Sequence, residues 1–202
     1  LLLLFLGFIS KVFANDASIS DLRQRSVNVC ESCDLSSVDL ADADLNNVDL
    51  SSADLTNANL TRADLSSAIL ISADLTRADL IGANLARADL SGVYLIDADL
   101  TSAILSGADL TDSDLTGANF TNAKLTNVDL TRANLSGADL AYSNLVYAQL
   151  KNANISNALL KGANLSGVDL SYRDLSNINF RGANLLAANL EGADLTGADL
   201  RG

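Results

Sequence analysis

The sequence of 202 residues contains no His, Met, Trp or Pro. Without an imidazole, the chain can form neither Ser-His-Asp nor Cys-His catalytic sites, nor any metal site that uses histidine. Only 4% of the residues are aromatic, while 49% are hydrophobic, so the apolar content is almost entirely Leu and Ala. This composition favours one domain with a regular, narrow core over a disordered chain. We expect that the protein is not an enzyme and that it binds no cofactor.

Basic residues are also scarce, and the acidic excess is confined to one region. The chain carries 25 Asp and Glu against 13 Lys and Arg. Residues 34–117 contain 15 acids and three bases, whereas residues 118–202 contain seven of each. This charge disfavours direct nucleic-acid binding and favours a basic partner.

The N-terminal stretch resembles a secretory signal. Residues 1–9 are apolar, and Val12 and Ala14 provide the small residues of a cleavage site before Asn15. The run is too short for a bilayer of ~30 Å, so we expect no membrane span in the mature chain. We predict a partial signal peptide at 1–14, and export to the periplasm, thylakoid lumen or extracellular space rather than cytoplasmic residence. A buried apolar N-terminal cap is the alternative.

A five-residue period runs through the rest of the chain. From Leu35 to Leu200 every fifth residue is large and apolar, at 34 consecutive positions without an insertion. Of these, 31 are Leu, and the others are Phe120, Ile155 and Phe180. A small residue, usually Ala, lies two positions earlier, and Asp or Asn usually lies between them. The unit is therefore Ala-(Asp/Asn)-Leu-(Ser/Thr)-x.

This period fits neither a helix nor a continuous strand. Five helical steps turn each Leu by about 140°, and an odd spacing in a strand alternates the Leu residues between faces. Three extended residues followed by a two-residue turn fit, with Ala and Leu inward and Asp outward. The second turn position is Gly in 11 units and Asn in seven, as a positive φ requires. Four such corners close a square, which predicts an all-β solenoid of about eight and a half coils, ~40 Å long.

These units resemble the pentapeptide repeat family, over Asp34 to Gly202. The resemblance implies a right-handed quadrilateral parallel β-helix. A leucine-rich repeat is the nearest competitor, but its units of about 20 to 29 residues carry unequal Leu spacings. We therefore predict a β-helix at 34–202, preceded by an N-terminal cap segment at 15–33.

Some residues depart from the unit and are candidate partner contacts. Six units lack Asp or Asn at the outward position, and an apolar or aromatic residue there can mark a contact site. Scattered apolar surface residues are also normal, and corner packing is the alternative for the tyrosines. The candidates are Ile69, Tyr94 and Ile104 at outward positions, and Tyr142, Tyr147 and Tyr172 at corner positions.

Arg173 is the sharpest exception, because it occupies the small inward position. An unpaired guanidinium is strongly unfavourable in a dry core. We expect the backbone to bulge so that the side chain reaches solvent. A salt bridge to Asp174 and a subunit contact are the alternatives, so Arg173 is also a candidate contact residue.

The acidic region supplies a second hypothesis. Its net charge of −12 extends over ~20 Å of rod, a density that approaches the one charge per ~1.7 Å of duplex DNA. In this property it resembles the quinolone-resistance pentapeptide proteins, which are thought to imitate DNA for gyrase. The candidate acidic face is Asp49, Asp89, Asp109 and Asp129. Alternatively, Asp solubilises the rod and bonds nearby backbone amides, and an exported protein would not meet gyrase.

Cys30 and Cys33 lie just before the first full unit, in phase with Leu and Ala. They are candidates for buried cap residues or for a disulfide that staples the cap. A thioredoxin-like motif lacks its α/β context, and one Cys pair is too few for a structural zinc site. Carboxylates on a flat face diverge, so we expect no metal site.

The ends of a stacked coil leave apolar side chains and backbone groups uncovered. Residues 15–33 can cover one end, and the repeat continues to Leu200, so we expect a homodimer through the C-terminal coil or a chain that is truncated there. Together these features predict an exported, non-catalytic scaffold whose flat faces bind an unknown protein partner. The alternative is an acidic DNA mimic that inhibits DNA gyrase or another nucleic-acid enzyme.

Overall fold

The computed structural model describes residues 29–202. Over this range, parallel bridges join outward residues that are twenty positions apart, from Val29 with Asp49 to Asn179 with Asp199. Each strand is a single bridge residue, separated from the next by a two-residue turn, and no residue of the range is helical. Because twenty residues contain four units, each coil contains four units, and we call the bridge residue of each unit with its two neighbours a side of the coil. The register predicted from the repeat is therefore present.

The interior of the stack consists of the Leu and small-residue positions. From Leu35 to Phe180 almost all of these side chains are buried in one continuous cluster. Each fully buried Leu contributes about 1.5 to 3 kcal/mol of transfer free energy. The core therefore stabilises the fold by a similar small amount at each repeat. Ser113 and Ser143 replace Ala and are also buried. Their hydroxyls donate to the carbonyls of Leu110 and Leu140, which leaves no polar cost uncompensated.

The corners adopt the predicted positive φ. Every second turn residue from Ser32 to Gly202 has φ of 55° or more, whether it is Gly, Asn or another type. Most corners are closed by a bond from the next small residue to the preceding Leu carbonyl, such as Ala43 N to Leu40 O at 3.1 Å. Arg, Tyr and Ser therefore accept a conformation that costs an L-residue about 1 to 2 kcal/mol. The positive φ at each corner is therefore determined by the repeat and not by the residue type at that position.

The first described residues carry a disulfide. Cys30 and Cys33 are joined, with their Cα atoms 5.4 Å apart, and both lie at the edge of the core. The predicted signal peptide at 1–14 and most of the predicted cap at 15–33 lie outside the described residues. Within residues 29–202, no helix has the length and hydropathy needed to cross a membrane.

Candidate protein-binding surface

The outward Asp and Asn side chains all make the same hydrogen bond. At each of the 18 Asp and ten Asn in this position, Oδ1 accepts from the backbone N–H two residues later, at 2.9 to 3.4 Å. The bond satisfies a turn N–H that the ladder leaves unpaired. An amide oxygen serves as well as a carboxylate oxygen, so the fold requires the acceptor and not the charge.

The choice between Asp and Asn nevertheless differs along the rod. In residues 34–117, which we call the acidic half, 12 of these positions are Asp and two are Asn. In residues 118–202, the neutral half, six are Asp and eight are Asn. Since both residues make the turn bond, this bias sets the surface charge of each half.

The four predicted acidic residues lie in one column. Bridges connect Asp49 with Ile69, Ile69 with Asp89, and then Asp89, Asp109 and Asp129 in succession. We call Asp49, Asp89, Asp109 and Asp129 the acidic column. Its last three carboxylates lie on adjacent coils, about 4.8 Å apart along the rod, where like charges repel.

Asn relieves this repulsion elsewhere. The amides of Asn59 and Asn84 donate to the carboxylates of Asp39 and Asp64 on the preceding coil, each at 3.0 Å. In the acidic column no amide intervenes between Asp89 and Asp129 among the described residues. The column therefore keeps stacked carboxylates at positions where Asn could donate a hydrogen bond and relieve the repulsion.

Two ion pairs join corners of successive coils. Arg62 donates to both carboxylate oxygens of Asp42 at 2.7 Å, and Arg132 pairs in the same way with Asp112. The arginine hydrogen bonds lower the pKa of both Asp42 and Asp112. Both pairs are exposed, so they contribute little to stability. Only part of the charge of the acidic half is neutralised in this way.

The apolar candidates are not brought together. Ile69 lies in the acidic column, Tyr94 lies between Asp74 and Asp114, and Ile104 lies between Asn84 and Lys124. These are three different sides of the coil, because their positions differ in phase within the twenty-residue register. They form no shared patch.

The three corner tyrosines lie on glycines of the next coil. A Cβ built on Gly162 would lie 2.5 Å from the ring of Tyr142, and the same distance separates one on Gly192 from Tyr172. Tyr147 covers Gly167 in the same way. The rings remain exposed by 54%, 64% and 72% for Tyr142, Tyr147 and Tyr172. Sequence reasoning missed these pairs, although their signal is a Gly twenty residues after each Tyr.

Other contacts hold two of these rings. The Tyr172 hydroxyl donates to Glu191 at 2.7 Å, and this bond raises the pKa of Tyr172. Lys161 places its Nζ 5.9 Å from the centroid of the Tyr142 ring. Both tyrosines therefore present fixed, exposed aromatic surface at the corners of the neutral half.

Arg173 does not reach solvent as expected. Its side chain is partly buried, and the guanidinium donates to the carbonyl of Ala153 at 2.7 Å and to that of Leu150. Neither an escape into solvent nor a salt bridge to Asp174 describes this arrangement. The backbone does depart from the repeat, because the Arg173 N–H makes no bond to Leu170 O within the described part of the chain. Carbonyl acceptors of the preceding coil satisfy the guanidinium instead.

Titratable side chains do not converge on a metal. In the described range, no three Cys, Asp or Glu residues are grouped as metal ligands would be.

Comparisons with known proteins agree with the repeat architecture. The profile of the pentapeptide repeats matches in eight copies, over residues 33–70, 58–95, 94–132, 133–171 and 163–202. No curated protein sequence matches significantly.

Several solved structures are similar. HetL, a pentapeptide repeat protein involved in heterocyst differentiation regulation in the cyanobacterium Nostoc sp. strain PCC 7120, is 31% identical, with 92% of this chain and 96% of that chain covered and a TM-score of 0.34. A pentapeptide repeat protein of the Arabidopsis thaliana thylakoid lumen is 32% identical over 55% of this chain and 60% of that chain, with a TM-score of 0.26. QnrB1, a plasmid-mediated fluoroquinolone resistance protein, is 22% identical over 94% and 88%, with a TM-score of 0.33. Because the family profile covers residues 33–202 without a gap, this chain belongs to the pentapeptide repeat family.

Proposed function

We propose that the protein is a non-catalytic scaffold whose acidic half binds the basic surface of a protein partner. The observation that carries this proposal is the bias toward Asp, 12 to two, at positions where Asn makes the same turn bond. Stacked carboxylates repel one another, so folding alone favours a mixture with Asn. A basic partner would offset that repulsion on binding.

The acidic column is the part of this surface that we expect to contact the partner. The test replaces Asp49, Asp89, Asp109 and Asp129 by Asn, which keeps every turn acceptor. A control variant carries Asp→Asn at Asp139, Asp169, Asp174 and Asp194 in the neutral half. Proteins captured by the wild type from its native compartment should be lost with the acidic-column variant and kept with the control. Equal capture by both variants, or capture that is independent of salt, would contradict the proposal.

A DNA-mimicking inhibitor of gyrase is the second candidate. It is favoured by the charge density of the acidic half, 12 net negative charges over ~20 Å. Purified protein would then inhibit DNA supercoiling by gyrase, and the acidic-column variant would not. Normal supercoiling at micromolar protein would contradict gyrase inhibition and would favour the scaffold function.

We propose export as the location of the scaffold. The apolar run at residues 1–9, the small residues at Val12 and Ala14, and the Cys30–Cys33 disulfide support it. N-terminal sequencing of the protein purified from its source tests the location. A mature chain that begins at Asn15 supports export, and a retained apolar segment in the cytoplasmic fraction argues against it.

The finer architecture and the assembly belong to the same proposal. We expect right-handed winding with a square cross-section and about eight and a half coils, since 34 units at four per coil give that number. The last coil leaves Leu200 50% exposed and Leu185, Leu190 and Leu195 only partly buried. A second copy that packs on this end would bury them. Light scattering should give twice the mass of the chain, and a monomer at micromolar concentration would exclude the dimer.

A further inference from the structure

The hydrogen bonds between coils follow one pattern with one interruption. The regular set is seen at Leu130, whose N–H donates to Gln149 O at 2.8 Å, and at Gln149, whose N–H donates to Val128 O at 2.9 Å. The corner N–H of Arg132 donates to Lys151 O at 2.8 Å. These three bonds recur on every side of the described coils, except between residues 148–160 and residues 169–179. We call this interruption the seam.

Eight bonds of the pattern are absent at the seam within the described residues. They involve three consecutive sides of one coil. On two of these sides the regular bridges at Gln149 and Asn154 to the following coil are missing as well, whereas the bridge between Leu159 and Asn179 is kept. The donors that lack their regular acceptor are the N–H groups of Leu150, Asn152, Ile155, Asn157, Leu160, Asp169, Asp174 and Asn179.

Arg173 lies at the centre of the seam and accounts for it. Its guanidinium binds Ala153 O, the acceptor that the Asp174 N–H would use in a regular coil. A guanidinium needs far more space than the methyl group of Ala, so the two coils cannot close around it. One substitution at an inward position therefore removes pairing over a range of about a dozen residues in each coil.

The fourth side of the same coil remains closed. Leu145 N donates to Asn164 O at 2.8 Å, and Asn164 N donates to Ser143 O at 2.9 Å. Beyond the seam the pattern resumes, for example from Leu175 N to Asp194 O at 2.8 Å. Residues 163–202, which we call the terminal unit, are thus paired internally. They are attached to the preceding coils along the closed side, and also at the bridge between Leu159 and Asn179 and by Gly162 N, which donates to Arg181 O at 3.0 Å.

We propose that the seam is a hinge at which the terminal unit opens from the rest of the rod without unfolding either part. Local opening requires breaking the contacts that remain, and two sides of the seam, at Gln149 and Asn154, have lost both their bridge and their regular hydrogen bonds. Opening turns on the closed side at Asn144 and Asn164 and uncovers the core around Leu150, Ile155 and Leu175. It also changes the direction of the terminal unit relative to the acidic half. The hinge does not depend on the function proposed above.

Hydrogen exchange of the full chain tests the hinge. The amides of Leu150, Asn152, Ile155 and Asn157 should exchange at least about 100-fold faster than those of Leu130, Arg132, Leu135 and Gly137, which occupy the same positions one coil earlier. Arg173→Ala restores the repeat and should slow the fast set to the rate of its counterparts. The control is Ser113→Ala, a substitution in the same inward column three coils earlier, which should leave the seam unchanged.

A second measurement does not need the Arg173 variant to fold. Since Cys30 and Cys33 are joined, a single introduced cysteine is the reactive thiol of the described range. Ile155→Cys should react with a thiol reagent at least about tenfold faster than Leu135→Cys, although both positions are buried. Equal exchange rates in the two coils together with equal thiol reactivity would overturn the hinge. Fast exchange at the seam that persists in Arg173→Ala would also overturn it, because the cause would then lie elsewhere.

Discussion

Outside the seam, the acidic and neutral halves have the same backbone and different surfaces. Both use the same twenty-residue register, the same positive φ at each corner and the same turn bond from Asp or Asn. They differ in which of the two residues supplies that bond, with 12 Asp and two Asn in one half and six and eight in the other. The comparison separates what the fold requires, an acceptor at each turn, from what it leaves free, the charge. Charge is therefore the property on which the surface function can be selected.

The corners differ between the halves as well. In the neutral half, Tyr142, Tyr147 and Tyr172 cover glycines of the following coil. In the acidic half the side chains over the corner glycines are not aromatic: Arg62 Cγ lies 3.6 Å from a Cβ built on Gly82, and a carboxylate oxygen of Asp97 lies close to one built on Gly117. The neutral half thus combines low net charge with exposed aromatic rings, a composition more typical of protein contacts than of a solubilising surface.

The largest effect is expected at the glycines under tyrosine. Gly137 has φ of +69° and no atom of the described residues within 4 Å of its built Cβ, so Gly137→Ala should cost about 1 to 2 kcal/mol from the backbone alone. At Gly167, φ is +72° and the Tyr147 Cδ1 lies 2.6 Å from the built Cβ. Gly167→Ala should therefore cost at least about 1 kcal/mol more, measured by chemical unfolding.

The double variant Tyr147→Ala with Gly167→Ala separates the two causes. Without the ring, the cost of the added methyl group should fall to that of Gly137→Ala, as a double-mutant cycle would report. Equal losses for Gly137→Ala and Gly167→Ala in the presence of the tyrosine would show that the ring moves aside freely, and that a tyrosine corner is packed no more tightly than the open corner at Gly137.

The period alone was sufficient to predict the register, the buried Leu and Ala positions and the corner conformation. These follow from the unit itself, because one five-residue pattern must bury Leu at every step. The contact of the Tyr147 ring with Gly167 joins residues that are twenty positions apart. It can be predicted only after the twenty-residue register has been established. Arg173 could be identified as an exception from its inward position. Its partners could not be predicted, since the carbonyl of Ala153 becomes available only when the coils separate, and the carbonyl of Leu150 also accepts the corner bond from Ala153 N.

A smaller effect is expected from exchanging Asp and Asn between the halves. Asp109→Asn and Asn144→Asp each keep the turn acceptor, so each should change the free energy of unfolding by less than about 0.5 kcal/mol. Asp109→Ala and Asn144→Ala lose the acceptor and should cost about 1 kcal/mol. Chemical unfolding of the four variants measures both steps. A large loss with Asp109→Asn would mean that the charge stabilises the fold, and the inference that charge is free would fail.

The smallest effect concerns two of the ion pairs, Arg62 with Asp42 in the acidic half and Arg201 with Asp199 in the neutral half. Hydrogen bonds from Arg201 lower the pKa of Asp199 to about 2, and those from Arg62 lower the pKa of Asp42. A carboxyl group with a lowered pKa in the folded state contributes stability that is complete above its ordinary pKa of about 3.9 and is lost as the pH falls toward the folded value. For Asp199 this window extends from about pH 4 down to about pH 2. The loss should be small because the Arg201 side chain that holds the charge is largely exposed to solvent. Carboxyl-carbon NMR titration measures the pKa of Asp199. This pKa should be lowered in the wild type and should rise toward its ordinary value in Arg201→Gln. High salt should weaken the shift, because screening reduces the attraction between the two groups. An unchanged Asp199 pKa in Arg201→Gln would assign the shift to the backbone turn bond that both halves share, and the two ion pairs would then add nothing to the difference between them.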